Sequence, residues 1–189
     1  MSSRRTLLIG AGLALVSASV APLFAASPAV KPAEELVSKA ANEFLVAVRD
    51  GSRREDFARL FDRYVSMEAI AMFAIGKHRR RLPPNRRENY VGLVRDMLLN
   101  TVTRHGKHVH GHAFIVTGSR GNIVSGYIQH QGDHRTDVDM RPVDNRIADI
   151  RVEGLWLAFI LRQEFGRIID QGNGEISAIF DYLERGGSL

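Results

Sequence analysis

Apolar residues keep a helical spacing at both ends of this chain and alternate with polar ones in the middle. Over 33–50, Leu36, Val37, Ala40, Phe44, Leu45 and Val48 share one helical face, with Pro32 at the start and Gly51 as the stop. Ser52-Arg53-Arg54-Glu55 has capping-box spacing, so a second helix should begin at once, with Phe57, Leu60 and Phe61 inward. Ser66 is placed to cap a third, short helix carrying Ile70, Met72, Phe73 and Ile75 and ending at Gly76. Lys77 to Pro84 is a basic connector. Pro84 suits the first position of a fourth helix, faced by Tyr90, Leu93, Val94, Met97, Leu98, Thr101 and Val102 and ended by Gly106.

From about residue 109 the period shortens toward two. Turn signals at Gly106-Lys107, Ser119 to Asn122, Gln131-Gly132-Asp133 and Asp144-Asn145 separate four expected strands, at about 109–118, 122–130, 135–142 and 146–153. In the third, Thr136, Val138 and Met140 face one way while Asp137, Asp139 and Arg141 face the other. In the fourth, Ala148, Ile150 and Val152 share a side. Links this short imply antiparallel pairing.

The chain then turns at Gly154 into an apolar helix with Leu157, Ile160, Leu161, Phe165, Ile168 and Ile169 on one face. Gly172 is its expected stop and Asn173 the expected N-cap of a last helix bearing Ile176, Ile179, Phe180 and Leu183. Helices, a meander, then two helices is an α+β order, with an antiparallel sheet of four strands or slightly more. Both closing helices are expected to cover one side of an apolar cavity.

Met1 to Ala26 has paired Arg4 and Arg5, an apolar run over 7–20 and small residues Ala25-Ala26 at its end. This is the layout of a cleaved secretory signal, and the paired arginines resemble a twin-arginine type; a retained membrane anchor is the competing reading. The expected organisation is a signal over 1–26, a disordered lead over 27–32, one domain over 33–185 and a frayed tail over 186–189. Export by either route would place the protein in a bacterial envelope compartment.

At 189 residues and 44% apolar content the chain suits one domain with a real core. The net charge is +5, or +3 without the two arginines of the signal. Cations are interspersed with acids and no nucleic-acid motif appears, which argues against nucleic acid. With no cysteine, disulfides, thiolate nucleophiles and Cys-based metal sites are excluded.

Catalytic patterns are weak. His105, His108, His110 and His112 lie close together, and on a strand the last three would share a face usable for zinc or copper. The run lacks ligand-pattern spacing and an acidic partner, so an exposed polar face is the simpler reading and no metal is expected. Asp137 and Asp139 share a strand face with Arg135 and Arg141, which reads as a solvated charge ladder rather than an acid–base pair. No nucleophile elbow, phosphate loop or His-Glu-x-x-His motif occurs. His78-Arg79-Arg80-Arg81 is the densest basic patch, open to two readings: a solvated connector, or a contact for phosphate headgroups or an acidic partner through Arg79, Arg80 and Arg81.

One segment carries a specific resemblance. Asp149-Ile150-Arg151-Val152-Glu153-Gly154-Leu155-Trp156-Leu157, followed by Arg162-Gln163-Glu164-Phe165 and Ile168-Ile169, resembles the MlaC family, the toluene-tolerance lipid-binding proteins of the periplasm. Ala69 to Gly76 and the helix after Pro84 are similar to it as well, and the resemblance spans roughly 34–184. His78-Arg79 and Arg146 stand where family members often carry tryptophan, and a common tyrosine is missing near Thr101-Val102. These departures suggest a divergent branch, such as the one accompanying hopanoid synthesis. The resemblance implies a cone-like fold of the nuclear-transport-factor type with helices packed over a sheet and a hydrophobic pocket between. It also implies a monomeric, non-enzymatic shuttle with no cofactor. Its cargo would be a phospholipid or hopanoid-like lipid, passed between an outer-membrane lipoprotein complex and an inner-membrane ABC-type transporter.

Physical chemistry sets what such a shuttle needs. A two-tailed lipid has on the order of 30 methylenes, and at ~0.8 kcal/mol each their exposure costs about 24 kcal/mol. The tails must be enclosed by apolar side chains with few unpaired polar groups. Candidate pocket residues are Phe73, Val94, Met97, Leu98 and Val102 from the helices, Val116, Val124, Ile128, Val138, Met140 and Ile150 from the sheet, and Leu157 and Ile160 from the closing helix. Each taken singly also fits a filled core. Trp156 and Phe159 belong at the pocket mouth or in that core. A metal-dependent or catalytic protein using the His105–His112 cluster, and a lipid-free transporter adaptor, remain the alternatives.

Overall fold

A computed structural model describes residues 31–106, 109 and 111–187. The expected signal, His108, His110 and the last two residues lie outside them. The first three helices are α1 (Pro32–Arg49), α2 (Arg54–Tyr64) and α3 (Met67–Ala74). Gly51, with φ of 64°, makes the stop after α1 that a β-carbon would disfavour. The expected capping box forms one residue later than its spacing suggested. Arg53 is the N-cap, and its N–H donates to the Asp56 carboxylate at 2.9 Å. An arginine side chain has no acceptor to return, so only this half of the box forms.

The basic connector is itself wound into a 3-10 helix, Gly76–Arg81, and a second 3-10 turn at Pro84–Arg86 leads into α4 (Arg87–His105). Five antiparallel strands come next in simple meander order: β1 (Ala113–Arg120), β2 (Ile123–Gln129), β3 (Arg135–Val143), β4 (Arg146–Val152) and β5 (Leu155–Trp156). Asp144 and Asn145 both take positive φ, the mirror-image turn that matches strand twist. Glu153 and Gly154 repeat this between β4 and β5. Sequence spacing did not anticipate β5, because two residues are too few to show a period. The register of β4 also slips. Arg141 pairs with Asp149 but Pro142 pairs with Ile147, so Ala148 is passed over and does not share a regular face with Ile150.

The chain closes with α5 (Leu157–Gln171) and α6 (Ser177–Glu184). Asn173 does not cap α6; it takes φ of 56° inside the corner, and α6 begins after Ile176. Gly186 and Gly187 fold back on α6 through N–H bonds to the carbonyls of Leu183 and Tyr182, a C-cap rather than a fray. The fold class is the expected α+β one. The helical layer is arranged differently from a simple roof, however. α1 lies across β1, β2 and β3; α2, α3 and α5 meet the sheet at β4; α6 packs on α4 and α5.

That arrangement divides the core into two oily clusters. The larger is helical: Ile70, Tyr90, Val94, Leu99, Leu161, Phe165, Ile179 and their neighbours from α2 to α6, joined by Ala47 from α1. The smaller joins α1 to the sheet: Val37, Leu45, Phe114, Val124, Val138, Met140 and Ile147. Half-buried Leu60 packs against both. Apolar packing joins the clusters there, and hydrogen bonds tie the helical layer to β4 beside it: the Ser66 N–H donates to the Ile147 carbonyl at 2.9 Å, and Arg146 donates to the Asp62 carbonyl at 2.7 Å.

Candidate functional site

The inner face of the sheet is an apolar surface that the helices cover unevenly. One row crosses it through paired residues: Val116 to Gly126, Gly126 to Val138, Val138 to Val152, and Val152 to Leu155. Directly paired residues of an antiparallel sheet point to one side, so this row is continuous. α1 seals its middle, where Gly126 and Val138 are buried. Gly126 leaves room there for the Phe114 ring, which a β-carbon would strike at 2.5 Å. Beyond α1 the row runs into water: Val152 is 41% exposed and Leu155 64%. Ile150, in the neighbouring row, is half-buried.

The first turn of α5 continues this bare edge. Phe159 is 52% exposed and Ile160 38%, while Ala158 is buried and Leu161 and Phe165 turn into the helical cluster. Phe73 at the end of α3 is 42% exposed, with the Arg162 guanidinium 5.1 Å from its ring centroid. Exposed aliphatic and aromatic side chains gathered at one end of a sheet are informative where singly scattered ones are not.

Polar groups fix the edge in place. The buried Asp149 carboxylate accepts the N–H of Ile150 at 2.9 Å and of Ala158 at 3.0 Å, so it caps α5 from β4. No side chain at the helix's own N-cap, Trp156, does so. Burial pushes the Asp149 carboxyl above its usual value; the two backbone N–H groups and Arg141, 3.8 Å away, pull the other way. Glu153 donates its N–H to the Asp137 carbonyl, and its side chain accepts the Asp137 N–H at 3.0 Å, pinning the β4–β5 turn to β3. On the outer face Trp156 lies between two guanidiniums, Arg141 at 4.5 Å and Arg151 at 5.2 Å. Arg151 is in turn held by Asp139, whose other oxygen accepts the Ser125 hydroxyl. The charge ladder expected on β3 is therefore a cross-strand network.

The thirteen candidate pocket residues fall into three groups. Val116, Val124, Ile128, Val138, Met140 and Ile150 belong to the sheet cluster. Val94, Met97, Leu98, Val102 and Leu157 pack in the helical cluster. The α4 members of that group are held among helices, and among the described residues α4 makes no extensive contact with a strand. Phe73 and Ile160 lie exposed at the edge. Helical spacing placed Ile160 on the inward arc, but the buried arc of α5 is centred on Leu161 and Phe165 and leaves it outside. Val152 and Leu155 were not among the candidates. Their signal was the Glu153-Gly154 turn, which obliges Leu155 to fold back beside Val152.

A second opening reaches the same face from the other strand ends. A cleft of about 570 Å³ lies between the N-terminus of α1 and the β1–β2 and β3–β4 turns, with Leu36 and Val124 on its floor. That is the size of a small-molecule site. In the basic segment, Arg81 donates to the Gly174 carbonyl and sits 3.7 Å from Glu175, tying the corner between α5 and α6. Arg79 and Arg80 are exposed. His78 is packed inside, its Nε2 without a hydrogen-bond partner, and burial together with Lys77 and Arg81 pushes its pKa down. Among the described residues no three His, Asp or Glu side chains are grouped to hold a metal ion, and the histidine run itself falls partly outside them. No described helix is long and apolar enough to cross a membrane.

A family model described as MlaC protein matches residues 33–185. The chain belongs to the MlaC family. Among solved structures, a phospholipid-binding protein from Ralstonia solanacearum, determined in complex with a phospholipid, has the same fold. The TM-score is 0.69 at 16% identity, over 82% of this chain and 96% of that one. No match is found among curated proteins. The segment that resembled the MlaC family in sequence, Asp149 to Leu157, is the one that builds the bare edge: strand, pinned turn, return strand and capped helix start.

Proposed function

We propose that this MlaC-family protein is a lipid-binding carrier of the periplasm with no catalytic role. Its acyl chains would lie along the inner face of the sheet, between α1 and the helical layer. The observation that carries the reading is the division of the core. Two apolar clusters meet at Leu60, and the sheet's inner row runs out uncovered to Val152 and Leu155. The middle of that face is filled by α1 here, so seating a lipid requires α1 or the α3–α5 layer to move off the sheet. Methylene contacts with the tails then replace those lost. Belonging to the MlaC family supports the reading, as does the fold shared with a protein solved with phospholipid. The cargo is a phospholipid or a hopanoid-like lipid, taken from an outer-membrane lipoprotein complex and handed to an inner-membrane ABC-type transporter, or the reverse. Arg79 and Arg80 are the exposed cations available to an acidic partner or a headgroup.

Mass spectrometry of lipid extracted from protein purified from its native host tests this. The expected result is close to one lipid equivalent per chain. Protein that is lipid-free in every preparation would refute the carrier and favour an adaptor.

A further inference from the structure

The bare edge has a shape and a charge pattern of its own. Leu155 stands at a two-residue turn whose Gly154 has open space where a β-carbon would be, so the turn projects. Val152 sits opposite it across the strand pair, and Phe159 and Ile160 project from the next turn of helix. Cations border this tip on several sides. Arg162, one turn beyond Phe159, stacks on Phe73, and Arg141 and Arg151 stack on Trp156 beside Leu155. Of the acids nearby, Asp139 and Asp149 are largely buried against Arg151 and Arg141, while Glu153, bound to the Asp137 backbone, and the Asp137 side chain, paired with Arg135, are exposed.

We propose that this tip docks the protein on an anionic lipid bilayer. Leu155, Phe159, Val152 and Ile160 enter the acyl boundary while Arg141, Arg151 and Arg162 rest at the level of the phosphates. A projecting apolar point ringed by guanidiniums matches an apolar interior beneath an anionic layer, the pattern that holds interfacial segments on membranes. Arg141 and Arg151 are paired with Asp149 and Asp139, whereas Arg162, stacked on Phe73, has no acidic partner among the described residues, so its N–H edge is the one open to phosphate oxygens. A flat protein partner would meet the projecting turn poorly. The inference rests on the carrier reading and extends it: the uncovered end of the lipid surface is set against the source of lipid, so the tails need not cross open water.

Trp156 is the chain's single tryptophan, which makes the tip observable. Purified protein is floated with vesicles of phosphatidylcholine alone and of phosphatidylcholine with phosphatidylglycerol, and Trp156 emission is followed as brominated-chain lipids are introduced. The expected result is binding to the anionic vesicles that weakens with salt, and quenching of Trp156 on binding. Leu155→Asp with Phe159→Asp should lower partitioning at least tenfold, and Arg162→Glu should lower it on anionic vesicles several-fold. Val46→Asp, an exposed apolar site on α1, should change nothing. Circular dichroism and thermal melts establish that each variant is folded. A folded wild-type protein that ignores both vesicle types, or binding that survives the double substitution, overturns the proposal. So does wild-type self-association, measured by light scattering, that the double substitution abolishes; the tip would then belong to a second copy. Loss of vesicle binding with lipid still extractable sinks only the docking, whereas absence of lipid sinks the carrier reading beneath it.

Discussion

In the helical layer Tyr90, Val94, Leu99, Leu161 and Phe165 are shut away from water. The Tyr90 hydroxyl donates to the Ala71 carbonyl, and its ring meets Phe165 and Phe180 edge-on. On the inner face of β4 and β5, side chains of the same kind are left half-covered at Ile150 and open at Val152 and Leu155. One region closes around its apolar surface and the other stops short, although both are built from aliphatic residues in regular elements. The difference lies in the cover that the rest of the chain supplies to each. α4 is roofed by α6, whereas beyond β4 the chain spends only a two-residue strand before leaving as α5. Apolar surface left in water at ~25 cal/mol per Å² weakens the fold, so its retention at one place points to a use there.

The contrast can be broken first in the closed region. Tyr90→Ala should cost ~3–5 kcal/mol by denaturant titration, since a fully buried ring leaves a cavity among Phe165 and Phe180. Tyr90→Phe should cost only about 1 kcal/mol, because the Ala71 carbonyl keeps its helical bond from Ile75. A similar loss for both would mean that the ring packing is not what seals this layer.

Asp149→Ala comes next, at ~1–2 kcal/mol, the worth of a helix cap. Asp149→Asn should cost less, since an amide oxygen can still accept the Ala158 N–H. The aspartate also has a pH signature. Its folded pKa is raised, so the stability it contributes is full below the unfolded value and falls as pH rises through the folded one. Melts of Asp149→Asn across the acid range should show that decline flattened; an unchanged slope would contradict the assignment.

The smallest effect on folding is expected at the open edge. Val152→Asp should shift stability by no more than about 0.5 kcal/mol, because the site is already in water, yet it should lower the extractable lipid markedly. A large destabilisation with lipid retained would place the lipid elsewhere.

Much of the fold is legible in residue spacing alone. Period and stop signals place the helices α1 to α6 close to their observed spans, and the alternation in β3 puts Val138 and Met140 on the inner face where they are found. What escaped was set by neighbours rather than by spacing. His78 reads as part of a charged connector, but the 3-10 winding of Gly76–Arg81 turns it inward. Ser52 offers a better cap than Arg53, yet the sharp stop at Gly51 starts α2 one residue later. Ile160 fits an apolar helical face, and only the position of α3 and β4 against α5 shows that it falls off the buried arc. The candidate pocket residues were weighted toward α4 for the same reason: periodicity says that Val94 and Met97 are inside, not which of two cores they enter.

The central claim, that lipid tails lie on the sheet's inner face and not within the helical layer, is tested most directly by photo-crosslinking. A photoreactive residue placed at Val152, with a second variant carrying it at Val94, would be irradiated in the native host and each protein analysed by mass spectrometry. The account predicts a lipid adduct at residue 152 and none at residue 94. Adducts at residue 94 alone, or at neither position in protein that still carries extractable lipid, would contradict it.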